Sequence, residues 1–478
     1  MSRPADATSE SGGGARDYAI AATRTRSPRV YLECTTTYAS RYNTGIQRTV
    51  RSIVEAALAL RGPSLCLPVI FNGRYIEAID RLPALRRAAA APSGVETLRR
   101  AFHIARAGAI RLLPFAGLRA RLNSPRLEFA LRRAVYAARN ARRWVGSLRR
   151  RAGSGRIAIV PGDVVVLLDA TWGTDLSREL RRARAGGAQV WVVVQDLIPI
   201  NHPDIAPEGL PLLLDAWLRR TIPLSDGLLA ISRTVADEVR AYARERFADG
   251  PGSPQIDSFY LGAGFDPAPA GVADLARVRG AFDRCSGSVY LVVGTIEPRK
   301  DCARILAAFE RLWAEGSDAA LMLFGRAGWR SYDLIDRLRS HPEHGRRLLW
   351  FEDGSDAELD FAYRHAAALI FASRCEGFGL PLVEAMQHAL PVLASDIPIF
   401  REIGGDYPDF FRSGDELAIY AAIRRFADRR TLEPNSVRTP KRWLSWSDSA
   451  QMMLDKVTAP QNPPRRRPAG RIHAANEP

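Results

Sequence analysis

Between positions 375 and 396 the chain reads CEGFGLPLVEAMQHALPVLASD. Two glutamates, Glu376 and Glu384, stand eight positions apart around a loop of glycines and a proline. The preceding apolar run, ALIFAS, reads as a strand ending near Ser373, and Gly377 and Gly379 allow a tight turn after it. Pro381 suits the first position of a helix, where its missing N–H costs nothing. This grammar places Glu376 in a loop at a strand end and Glu384 about one turn into a helix. The free N–H groups of a helix start favour an anion such as a diphosphate. Carboxylates beside them are suited to accept hydrogen bonds from sugar hydroxyls.

Working outward, the same strand-loop-helix alternation fills the second half of the chain. SVYLVVG is a short apolar run ending in glycine, as a buried parallel strand does. CARILAAFERLW follows with Ile305, Leu306, Phe309, Leu312 and Trp313 on one helical face. AALMLFG, RLLWF and PVLAS read as further strands, and Ser355 with Glu358 forms a capping-box pattern for a helix between them. The first half shows strands RVYLE, DVVVLLD, AQVWVVVQ and DGLLAI. It also holds a helix, GIQRTVRSIVEAALAL, with Ile46, Val50, Ile53, Val54 and Ala57 inward. The expected fold is α/β, with two doubly wound domains facing across a cleft, and ligands beyond the carboxyl ends of the strands.

The chain's 478 residues exceed one core and fit two domains. The expected divisions are a disordered lead-in at 1–28 and doubly wound domains at 29–270 and 271–442. A terminal helix at 443–457 and a disordered basic tail at 458–478 follow. Five cysteines without metal-ligand spacing fit a reducing compartment. No secretory signal or run of eighteen apolar residues is visible, so the expected location is cytoplasmic.

The formal charge of +16 is local. Residues 81–156 hold nineteen arginines, no lysine and only two acids, Glu96 and Glu128, and the rest of the chain is nearly neutral. Three readings stay open for this insertion: a solvated helical segment, an amphipathic arm on the anionic inner face of a membrane, or a nucleic-acid surface. No aromatic-rich RNA-binding signature supports the last, so no nucleic-acid partner is expected.

EGFGLPLVEAM followed by PVLASDIPIFREIGG resembles the E-x7-E segment of retaining family-4 glycosyltransferases of GT-B fold. The resemblance implies that Glu376 contacts the donor sugar and Glu384 the ribose of the nucleotide. Gly377, Phe378, Gly379 and Leu380 form the connecting donor loop. VGTIEPRKDCARILAAFERLW resembles the first strand-loop-helix of that family's nucleotide domain. There Gly294, Thr295 and Lys300 line the donor site, and Lys300 neutralises the leaving diphosphate. Only three lysines stand against 65 arginines, so a compact point charge at position 300 is against the chain's habit. Thr295 occupies the place where an arginine commonly follows the glycine, and Arg299 is the candidate for the second positive charge. Gly325 and Arg326 lie at another strand end facing the cleft.

In the first domain NTGIQRTVR resembles a motif of bacterial members that build surface polysaccharides, placing Gly45 and Arg48 by the phosphates or the acceptor. VQDLIPINHPD also fits, with Gln195 where relatives carry an aromatic residue or histidine. Asp196 is the candidate to orient the acceptor hydroxyl, and Ser232 reads as a helix cap. The resemblance covers about residues 29–78 and 160–456. It implies hexose transfer, mannose from GDP-mannose, to a lipid-linked or growing glycan, without a metal or other cofactor. A dTDP- or UDP-sugar donor and a non-catalytic sugar-nucleotide-binding scaffold on the membrane are the alternatives.

Overall fold

The computed structural model describes residues 27–40, 44–83, 156–247, 254–264, 275–432, 439 and 441–459. The lead-in, nearly all of the arginine-rich segment and the basic tail lie outside the described residues, and with them the expectations placed there.

Seven strands build the first sheet: β1 (Val30–Glu33), β2 (Cys66–Phe71), β3 (Ile76–Ala78), β4 (Val164–Leu167), β5 (Gln189–Val194), β6 (Gly227–Ala230) and β7 (Gln255–Ser258). Their order is β3-β2-β1-β4-β5-β6-β7, parallel throughout except for the antiparallel edge pair β2–β3. Six strands build the second: β8 (Val289–Val293), β9 (Ala320–Phe324), β10 (Leu348–Phe351), β11 (Ala368–Phe371), β12 (Val392–Ser395) and β13 (Asp409–Phe411). Their order is β10-β9-β8-β11-β12-β13, all parallel. The central strands are buried along their whole length, which is why they read as unbroken apolar runs rather than alternating ones.

In each sheet the connections run outward in opposite directions from one pair of neighbours, β1/β4 in the first and β8/β11 in the second. Loops leaving such a pair diverge and open a crevice at their carboxyl ends. Both motifs of the second half leave β8 and β11, so topology alone puts them side by side.

Several contacts hold the two sheets' domains together. The helix Trp446–Thr458 lies on the helix Gly45–Arg61 and buries Ala450, Met453, Leu454 and Val457 completely. Its approach is fixed by Trp443, whose indole N–H donates to the Leu261 carbonyl at 2.8 Å, and by Ser449, whose hydroxyl donates to Tyr260 O at 2.7 Å. Glu402 accepts the backbone N–H groups of Arg233 and Thr234 at 2.7 and 2.8 Å, so one domain caps a helix of the other. Arg330 donates to the Asp204 carbonyl at 2.9 Å on the opposite side.

Candidate active site

The loop after β8 turns at Gly294, whose φ of 135° is open to glycine and strained for other residues. A Cβ at Gly294 would lie 3.1 Å from Lys300 Cε and 3.2 Å from its Nζ, so the bare glycine leaves room for the lysine. A 3-10 turn, Pro298–Lys300, swings Arg299 and Lys300 toward the loop after β11. There Lys300 Nζ and Arg299 Nη1 each meet one oxygen of Glu376 at 2.5 Å. The Ser373 hydroxyl donates to the same carboxylate at 2.8 Å, and Lys300 Nζ stands 4.8 Å from the centre of the Phe371 ring. Arg299 also pairs with the buried Glu297.

Burial by itself would raise the Glu376 carboxyl, but Arg299 and Lys300, with hydrogen bonds from Lys300 and Ser373, hold it down at about 2. Burial opposes the Arg299 charge, yet Glu376, Glu297 and Asp196 together push its proton affinity upward. Glu376 is therefore an anion and Arg299 a cation, packed in a site where charge interactions are poorly screened.

The second acid is as tightly held. Glu384, in the helix Leu380–Gln387, is 2% exposed. Arg48 Nη1 meets its Oε1 at 2.6 Å and the Tyr363 hydroxyl donates to its Oε2 at 2.7 Å. Arg48 Nη2 donates to the Gly264 carbonyl at 3.0 Å. The structure thus brings Arg48 to a carboxylate of the opposite domain. Gly45 opens the helix Gly45–Arg61, and among the described residues a Cβ there would touch nothing within 4 Å.

Asp196 follows β5 and faces the Glu376 loop. Its Oδ1 accepts the Ile198 N–H at 3.1 Å, so it closes a turn at its strand end. Burial raises its carboxyl against the pull of Arg299 and that N–H, and Glu376 raises it further. Gln195 donates to Leu168 O at 3.2 Å and ties β4 to β5. Gly325 has φ of 147°, and a Cβ would overlap the Gly294 carbonyl oxygen, so two sheet-end loops touch through backbone. Thr295 follows Gly294, and Arg326 is exposed at the rim, its carbonyl accepting the Ile296 N–H at 2.8 Å.

Two residues of the loop after β11 also make contacts between the domains. Gly377 is not left-handed, unlike Gly379 with φ of 99°. Its missing Cβ instead makes room for the Gln195 carbonyl, while the Ser232 hydroxyl donates to Gly377 O at 2.9 Å. Phe378 turns its ring into an apolar junction with Tyr260 and Trp443, at centroid distances of 6.4 and 5.9 Å. Leu380, the first residue of the helix, packs against the same core. Pro381 is the second helical residue, behind a left-handed Gly379 cap. Ser232 caps the helix Arg233–Arg246 by accepting the Val235 N–H at 3.1 Å.

Tyr363, Ser373 and Glu297 were not singled out from the sequence as site residues. Ser373 lies three positions before Glu376 and Glu297 two before Arg299, so proximity to a charged motif was the available signal. A further buried pair, Glu33 and Asp169, closes the ends of β1 and β4, where Asp169 accepts the Thr37 N–H at 2.5 Å. Burial raises the Asp169 carboxyl against its hydrogen bonds from Thr37 and its neighbours.

Residues 286–435 match the family described as "Glycosyl transferases group 1". The serotype-specific mannosyltransferase WbdA of Escherichia coli is 36% identical over 303 residues, covering 62% of this chain. The match spans only 37% of that relative's own length. The catalytic domain of starch synthase IV from Arabidopsis thaliana, bound to ADP and acarbose, superposes with a TM-score of 0.51 at 14% identity, covering 90% of this chain and 98% of that one. HepE of Anabaena in complex with UDP-glucose gives 0.50 at 13% identity, covering 90% and 95%. The protein has the GT-B fold, residues 286–435 match group 1 glycosyl transferases, and 303 residues of the chain are homologous to part of WbdA.

Proposed function

We propose that the protein is a retaining glycosyltransferase that moves a hexose, mannose from GDP-mannose, to a lipid-linked or growing polysaccharide. The observation that carries this reading is the Lys300–Glu376–Arg299 cluster at the β8/β11 crevice, with Glu384 one helical turn beyond. The likeness to a mannosyltransferase supports the choice of sugar.

In this reading the bond between the sugar's C1 and the diphosphate oxygen breaks, and a bond from C1 to the acceptor oxygen forms on the same face. Lys300 and Arg299 take the charge developing on the diphosphate, and fixed cations in a water-poor site are effective there. Glu376 then turns from these cations to the sugar hydroxyls and orients the ring. The acceptor's proton passes to the departing phosphate oxygen, so no separate strong base is required. Asp196, at the facing strand end, positions the acceptor hydroxyl. The second half supplies the donor groups and the first half the acceptor side, so closure excludes water from the reacting atoms.

Among the described residues no helix is long and apolar enough to cross a membrane. The arginine-rich segment is proposed to bring the protein to an anionic membrane surface on the cytoplasmic side, where a lipid-linked acceptor lies. The test is nucleotide release from GDP-mannose, UDP-glucose, UDP-GlcNAc, UDP-galactose and dTDP-rhamnose by the wild type, Glu376→Ala and Lys300→Ala. Release from GDP-mannose that both variants lose supports the reading, and release from a different donor overturns the choice of mannose. With an acceptor glycan in hand, the anomeric configuration of the product by NMR decides retention.

A further inference from the structure

We propose that Tyr363 and Arg48 are positioning residues, one from each domain, that fix Glu384 in the orientation that receives the ribose hydroxyls of the nucleotide. The inference rests on the reading of Glu384 as the ribose-binding acid. It adds that this subsite is complete only when the two domains are together.

A carboxylate as buried as Glu384 is tolerated only with strong hydrogen-bond partners. It has one for each oxygen, Arg48 at 2.6 Å and Tyr363 at 2.7 Å. An ionised carboxylate offers roughly four acceptor directions, so these two donors set its plane and leave two directions unused, the number a vicinal diol's two donors would take. Both holders are themselves held. The Tyr363 ring stacks on His388 with centroids 5.3 Å apart, and His388 lies 2.8 Å from both the Glu384 carbonyl and Asp360 Oδ1. Arg48 is anchored at its other nitrogen by Gly264 O. Burial and the neighbouring Glu384 charge keep the Tyr363 hydroxyl protonated, hence a donor.

The two holders differ in origin. Tyr363 belongs to the same domain as Glu384 and stays with it, whereas Arg48 sits on the helix Gly45–Arg61 of the other domain. Separating the domains removes a cation from a buried acid, and closing them restores it. Ribose binding and closure are thereby linked through one ion pair.

The experiment measures binding of GDP and of UDP, each against its 2′,3′-dideoxy analogue, to the full chain by calorimetry. Wild type, Tyr363→Phe and Arg48→Ala are compared. Tyr363→Phe keeps the ring on His388 and removes only the hydroxyl. Wild type is expected to prefer the ribonucleotide by about tenfold or more, the value of a hydrogen bond to a charged group. Each variant is expected to lose most of that preference, and Tyr363→Phe to bind the dideoxy form as the wild type does, which also shows that it is folded. Should Arg48→Ala bind neither form, Arg48→Lys is read in its place, since it keeps the charge but not the fork to Gly264. Variants that keep the full ribose preference overturn the positioning role and leave the reading of Glu384 standing. A wild type without ribose preference, or without nucleotide binding, removes the reading of Glu384 and the proposal together.

Discussion

Gly377 meets the Gln195 carbonyl across the domain boundary, backbone against backbone, one residue after the acid that lies between Lys300 and Arg299. A Cβ at position 377 would overlap that oxygen and also lie 3.1 Å from Asp196 Cβ. Neither neighbour is the free end of a flexible chain, so the loop itself must retreat. Gly377→Ala is therefore expected to cut transfer by about a hundredfold, the order of loss that a shift of roughly 1 Å at reacting groups produces. Nucleotide binding, which the proposed function assigns to the β8 loop and Glu384, is expected to change much less. Steady-state kinetics beside nucleotide calorimetry check this, and equal losses in both would refute it.

The arrangement of strand, loop and helix around Glu376 was legible because every signal in it is local. Buried parallel strands are short apolar runs, and glycines, a proline and acids mark the loop and helix after them. The pairing of Arg48 with Glu384 was not legible, since the two stand 336 positions apart and only the fold joins them. Tyr363 lies in a stretch that reads as an ordinary helix face, where a buried aromatic is indistinguishable from one with a hydrogen-bonding task. Phe378 shows the converse. Its place between two glycines fits a ligand loop, yet its ring belongs to the junction with Tyr260 and Trp443. Four strands also lacked a clear signal. β2 contains Pro68, β7 is mostly polar, and β3 and β13 have three residues each.

Lys300 and Gly294 form a second backbone-limited fit. The lysine passes close to a glycine that has no Cβ and reaches Glu376 as a point charge. A guanidinium is broader and planar, so Lys300→Arg conserves charge without conserving shape. Lys300→Arg and Gly294→Ala are both expected to weaken nucleoside diphosphate binding by about tenfold or more, as loss of a charged hydrogen bond does. Nucleoside binding should be nearly unchanged. Calorimetry with GDP and guanosine separates the two, and a Lys300→Arg variant with wild-type GDP affinity would show that charge alone suffices.

Met453 is fully buried where the helix Trp446–Thr458 crosses onto the helix Gly45–Arg61. Met453→Ala removes that contact and leaves a cavity, with an expected cost of about 2–5 kcal/mol. The contact joins the end of the described chain to the first domain. The loss should therefore appear as earlier unfolding of that domain, while below that transition Arg48 stays on Glu384 and the affinity for nucleotide is kept. Differential scanning calorimetry with and without GDP checks this. A single transition moved uniformly, with GDP affinity lost in proportion, would mean that the two domains unfold only as one.

Glu376 links the site to acid stability. Its carboxyl is displaced from the ordinary 4.5 to about 2 in the folded protein, against burial and through Arg299 and Lys300. As pH falls, the unfolded chain binds the proton first. The stabilisation is thus fully present above about pH 4.5 and is lost as pH falls through about 2. Glu376→Gln removes the acid while leaving the two cations buried, and breaking a buried pair from one side typically costs about 3–5 kcal/mol. Two outcomes are expected together: a lower Tm at pH 7, and a shallower loss of stability between pH 4.5 and 2 than the wild type shows. Inorganic pyrophosphate should restore part of the variant's Tm, because it offers the two cations the charge that Glu376 supplied. Thermal melts across this pH range, with and without pyrophosphate, measure all three. If the variant's acid limb coincides with that of the wild type, another carboxylate carries the acid sensitivity and the Lys300–Glu376–Arg299 cluster is held by shape rather than by charge.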